Sequence, residues 1–113
     1  MDSAFRYGSK IAVAGSAVAD GGTVVLIAAP GASKFWRLGA LNLSVSAAFN
    51  GTLRDGGITD QFTLRSAGVE TIPISLPASG WRAPAANVSL ELVNSSGGSV
   101  TVGALGHYKV ENF

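Results

Sequence analysis

The chain has no cysteine and only one histidine. The first absence excludes disulfide staples and thiolate metal sites, and the second excludes metal centres built from clustered imidazoles. Charge is scarce as well. Asp, Glu, Lys and Arg make up 13% of the 113 residues, about half the usual share for a globular domain. Eight basic and seven acidic side chains leave a net charge of +1, and they are scattered singly along the chain. No basic stripe follows a phosphate backbone, so nucleic acid is not an expected partner. No apolar run approaches the ~20 residues that a membrane helix needs, and a soluble domain is expected. Ile11 to Ala19 follows Lys10 and ends in Ala-Val-Ala, like a secretory leader. It is short and interrupted by Gly15-Ser16, so no cleaved leader is expected.

Hydrophobic residues make up 47% of the chain, much of it Ala and Val. The length suits one domain that buries roughly two thirds of its unfolded surface. With so few charges, Ser, Thr, Asn, Gly and Ala must cover the outside. Such a surface suits packing against other subunits, where burying a charge is costly.

Period-2 alternation recurs between turn signals. Lys10–Ala19 reads as a weak strand closed by Asp20-Gly21-Gly22, and Val24–Ala28 as a short apolar strand ending at Pro30-Gly31. Phe35–Ala47 is a long strand. Asn50-Gly51 then predicts a hairpin turn, because both residues tolerate positive φ, with Thr52–Arg54 returning. Gln61–Arg65, Glu70–Leu76, Asn87–Val93 and Ser99–Val110 follow, with Pro73 marking an edge strand or a local break. No window has a capped 3.6-residue apolar period, so helices are not expected. About eight short antiparallel strands predict an all-β fold, a single small β-sandwich of jelly-roll-like form. Residues 1–22 are expected to be an N-terminal arm or first strand, and 23–113 the sandwich domain.

The long strand contains a conflict. Trp36, Leu38 and Ala40 share one parity, whereas Leu41, Leu43 and Val45 share the other. Either an extra residue at Gly39 makes a β-bulge, or the strand is buried on both faces. We expect the switch to let the strand serve two faces, one closed by a neighbouring subunit, with Trp36 as an interface anchor.

Catalytic chemistry finds little footing. Asp20, Asp55 and Asp60 sit in or beside Gly-rich turns, where Asp is favoured for capping, and no carboxylate pair stands out. No Gly-x-Ser-x-Gly elbow is present. The run Arg54-Asp55-Gly56-Gly57-Ile58-Thr59-Asp60 lacks the alternating acids and closing Glu of a calcium loop and reads as a turn. No catalytic residue, cofactor or metal is assigned. His107 has the parity opposite to Tyr108 and Val110, which faces it toward solvent or a partner. Trp81, in a Gly-Trp-Arg loop, is either a plug at the end of the sandwich or a platform for a glycan. Phe5, Arg6 and Tyr7 in the N-terminal arm are placed against a neighbour.

One arrangement goes further. Ala-Pro-Gly-Ala-Ser-Lys-Phe-Trp-Arg-Leu (29–38) leads into Leu-Asn-Leu-Ser-Val-Ser-Ala-Ala (41–48). Then follow Gly-Thr-Leu-Arg-Asp-Gly-Gly (51–57), Ile-Pro-Ile-Ser-Leu-Pro (72–77), Asn-Val-Ser-Leu-Glu-Leu (87–92) and Val-Thr-Val-Gly-Ala-Leu-Gly-His-Tyr (100–108). This rhythm over about residues 24–110 resembles the small β-sandwich structural proteins of tailed-bacteriophage virions, such as capsid decoration (cement) proteins and tail or head-fibre subunits. The resemblance implies a non-enzymatic virion protein, assembled in the host cytoplasm, that contacts the major capsid protein or other virion proteins. A homo-oligomer, a trimer on a symmetric shell, is the expected assembly. The interface residues expected are Phe5, Arg6, Tyr7, Trp36, Trp81 and His107. A tail or fibre position, or a glycan-binding module using Trp81, are the alternatives.

Overall fold

The fold, given by a computed structural model, is described over residues 9–55, 59–76 and 80–112. Nine strands occur there: β1 (Ser9–Val18), β2 (Thr23–Ile27), β3 (Lys34–Val45), β4 (Phe49–Asp55), β5 (Thr59–Ser66), β6 (Glu70–Pro73), β7 (Trp81–Arg82), β8 (Leu90–Asn94) and β9 (Val100–Asn112). No helix occurs among the described residues, so none there is long and apolar enough to cross a membrane. One sheet, here called A, has the order β1-β9-β3-β6, with β7 also paired to β3; the other, sheet B, has the order β2-β8-β4-β5. Setting β7 aside, the antiparallel pairs nest: β1 with β9, β2 with β8, β3 with β6, β4 with β5. That nesting is the path of one long antiparallel ribbon rolled into two facing sheets, a jelly roll. The expected all-β sandwich is the observed one.

The parity conflict is resolved by a bulge. Leu38 pairs with Tyr108 and Ala40 with His107, so Gly39 is the extra residue. The insertion shifts the phase by one, and Trp36, Leu38, Leu41, Leu43 and Val45 all end up between the two sheets, each no more than 3% exposed. The expectation that β3 serves two faces is therefore wrong. The bulge rotates the second half of the strand back onto the same core. Bulging also presses the Ala40 carbonyl onto β9. A Cβ at Gly106 would overlap that oxygen, which accounts for glycine there.

Asn50-Gly51 does not turn. Both residues lie inside β4, and Gly51 pairs with Leu64 on one side and Asn94 on the other. The chain crosses between sheets earlier, over Ser46–Ala48. Gly51 is instead a close-approach glycine: an added Cβ would collide with the Val93 carbonyl and the Phe49 ring. Asn50 is fixed from outside the strand, its N–H donating to Ser96 Oγ at 2.8 Å and its carbonyl accepting from Ser95 N–H at 2.8 Å.

Pro73 behaves as its chemistry requires, ending β6 on the edge of sheet A opposite Asn42. Beyond it, Trp81–Arg82, expected to be loop, adds a short strand to the same side of β3, opposite Leu38 and Arg37. Of the 1–22 unit, residues 9–18 form β1 at the other edge of sheet A.

Candidate interaction surface

Of the residues singled out from sequence, Phe5, Arg6 and Tyr7 lie outside the described residues. Trp36 is fully buried within its own chain. Its indole N–H donates to the Val88 carbonyl at 2.9 Å. It offers no surface to a neighbour, so the interface-anchor expectation is corrected: the bulge turns it inward, where an indole contributes most by burial. Trp81 points the same way. It meets Trp36 edge-on, ring centroids 5.0 Å apart and planes at 89°. This closes the β7 end of the core, the plug rather than the platform.

His107 is exposed on the outer face of sheet A, opposite Ala40 on β3 and Lys10 on β1. It stands beside a feature that the linear sequence hides. Arg37 on β3 pairs directly with Lys109 on β9 and with Arg82 on β7, so three cations share one row across the sheet. Like charges placed directly opposite each other destabilise a sheet. Two devices reduce that cost here. Arg37 Nε donates to Glu111 Oε1 at 3.0 Å, and Lys109 Nζ reaches Glu111 Oε2 at 3.2 Å. The Arg82 guanidinium lies 4.3 Å over the Phe35 ring. Partial burial, the largest single influence on the Glu111 carboxyl, pushes its pKa up. Hydrogen bonds from Lys109 and Arg37, with the charges of both, together outweigh it and hold the carboxyl below its ordinary value.

Away from this row the outer face of sheet A has little charge. Ala12, Leu105, Asn42 and Pro73 form one row across four strands, and Leu105 is 66% exposed. Two residues back along β9, Gly103 lies opposite Ser44. With Gly15, Val45, Ser46 and Thr101 it lines a shallow groove of about 190 Å³. The groove exists because two glycines lack side chains. Gly15 sits where β1 slips register between Val13 and Ser16, at φ 47°, and a Cβ on Gly103 would meet Ser44 Oγ at 2.6 Å. Asp20 and Glu70 are exposed at that end of the sandwich. The outer face of sheet A thus runs from a basic end, past an apolar knob, to a small-residue groove. Glu70, opposite the core residue Val45, accepts from Ser66 Oγ on sheet B, and Asp20 accepts from the Gly97 N–H.

Among the described residues no three His, Cys, Asp or Glu side chains come together as a metal site. Asp55 is buried at the end of β4, opposite Thr59 and Leu90. Of the turn expected over Arg54–Asp60, residues 56–58 lie outside the described residues. No family model, curated protein or solved structure matches this chain.

Proposed function

We propose that this chain is a non-enzymatic structural subunit of a virion, a capsid decoration protein that self-associates on the phage head and stabilises it against the major capsid protein. The observation that carries the reading is the outer face of sheet A: a sheet surface poor in charge through its middle, with Leu105 66% exposed. Such a face matches the composition of a subunit contact, apolar at the centre and charged at the rim. The jelly-roll path adds an analogy at the level of fold, since viral capsid domains use it, and so do lectins. The glycan alternative gains nothing from Trp81, whose ring packs on Trp36. A tail or head-fibre position remains the nearest alternative within the same class. Tailed virions purified from the source of this chain should contain it as a stoichiometric component, and virions lacking it should release their genome at lower temperature. Absence of the chain from purified particles overturns the reading.

A further inference from the structure

We propose that the outer face of sheet A binds a second copy of this chain across a two-fold axis perpendicular to the strands, Leu105 of each copy seating in the Gly15–Ser44–Gly103 groove of the other. The inference rests on the reading of the chain as a self-associating subunit and names the surface and symmetry of that association. Three observations support it.

The first is shape. Leu105 projects from the face at 66% exposure. The groove beside it begins at Gly103, two residues along the same strand and on the same side, which is about 7 Å. A knob and a hole side by side on one strand are self-complementary under a two-fold axis that passes between them. Each Leu105 then lies over the partner's Gly103, and both holes are filled at once. Such a contact is isologous and closes as a dimer.

The second is charge. The same axis carries the cations of one copy, Lys10 and the Arg82-Arg37-Lys109 row, toward the uncharged groove end of the other copy, beyond which Asp20 is exposed. A two-fold axis along the strands would instead set the three-cation row against itself, at a repulsive cost. Charge therefore selects between the two ways in which this face can meet its own copy.

The third is area. The overlapping face is about 30 Å along β1, β9 and β3 and about 14 Å across them, and the four residues of β6 add about 13 Å of a fourth strand. It buries about 500 Å² per copy, or about 1,000 Å² in total, the lower limit for a specific interface. Interfaces at that limit are the weak, transient ones, so the expected dissociation constant is on the order of micromolar and weakens with salt as the charged groups are screened.

Sedimentation velocity over about 1 to about 500 µM brackets that constant. The wild-type chain should pass from monomer to dimer, and Leu105→Ser should raise the dissociation constant at least about tenfold by removing the apolar knob from both copies. Ser44→Trp, which fills the groove from an exposed position, should abolish the dimer. Both changes lie on the outer surface, so the near-ultraviolet circular dichroism of the Trp36–Trp81 pair should stay as in wild type. A wild-type oligomer that neither substitution weakens, a trimer included, overturns this face and leaves the self-associating subunit standing. A wild-type monomer across the whole range overturns both.

Discussion

Glycines mark the tightest points of this molecule, and the structure sorts them by what a methyl group would meet. At Gly106 it would run into the backbone oxygen of Ala40, which cannot move aside without breaking the β3–β9 pairing. Gly106→Ala should therefore cost about 1–3 kcal/mol or more in urea unfolding, the range for overpacking a close-packed site. Gly68 has nothing within 4 Å of the same methyl, so Gly68→Ala should change stability by no more than about 0.5 kcal/mol. The sequence places Gly106 in a strand and Gly68 between strands, but it does not show what a methyl group would meet at either. Glu111 makes a second prediction. Its folded pKa is lowered, so its contribution is complete above the unfolded glutamate value and is lost as pH falls through the lower folded one. Glu111→Gln should cost about 0.2–1 kcal/mol at neutral pH, as for a partly exposed ion pair, and that difference should vanish in strong acid. A difference of unchanged size in acid would assign the loss to packing instead.

Among the elements, β3 carries the most information. Its alternation is regular from Trp36 to Leu38 and regular again from Leu41, and the residue that breaks it is Gly39. Removing Gly39 puts Trp36, Leu38, Leu41, Leu43 and Val45 on a single parity with no bulge at all. The deletion should keep a cooperative unfolding transition. Deleting Asn42 instead leaves the bulge in place and turns Leu43 and Val45 toward solvent, at about 1.5–3 kcal/mol each. That variant should lose the transition, or keep it only at markedly lower urea. Since the bulge is what crowds Gly106, Gly106→Ala should also cost less in the Gly39 deletion than in the full-length chain, a coupling that a double-mutant cycle measures. Equal costs would separate the two features. The alternative left open by the sequence, bulge or two-faced strand, was decided by where β9 lies. The Asn50-Gly51 signal failed for a related reason. Its turn preference is local, but the Val93 carbonyl and the Phe49 ring already fill the space where a side chain at 51 would be, and glycine serves that contact.

At the scale of the whole molecule, the nested pairing makes nearly every strand contact distant in sequence. β1 pairs with β9, so Ser9 lies opposite Tyr108, and among the described strands only the β4–β5 hairpin is local. Loop-closure entropy must be met before such pairs form, so refolding should take milliseconds to seconds rather than microseconds. Stopped-flow fluorescence of Trp36 and Trp81 reports it, and a microsecond phase carrying the whole amplitude would contradict this account. The same topology explains why the proposed interaction surface is hard to read along the chain. Lys10, Arg37, Arg82 and Lys109 come from four separate stretches and read as isolated charges. Strand register places three of them in one row and the fourth on the row next but one.

The sequence by itself determined that the chain is all β, where most strands lie and, β3 apart, which parity of a strand is apolar, because alternation at period 2 is a property of the strand alone. It also limited Pro73 to an edge strand or a local break and put His107 on the parity facing solvent or a partner. The tertiary structure alone decided that Trp36 and Val45 share one core, that Trp81–Arg82 becomes a strand, that Gly51 is a contact and not a turn, and that Leu105 stands beside a groove. Each of these depends on which distant strand lies alongside and in what register. That is set by the packing of the two sheets together, and no local run of residues carries it.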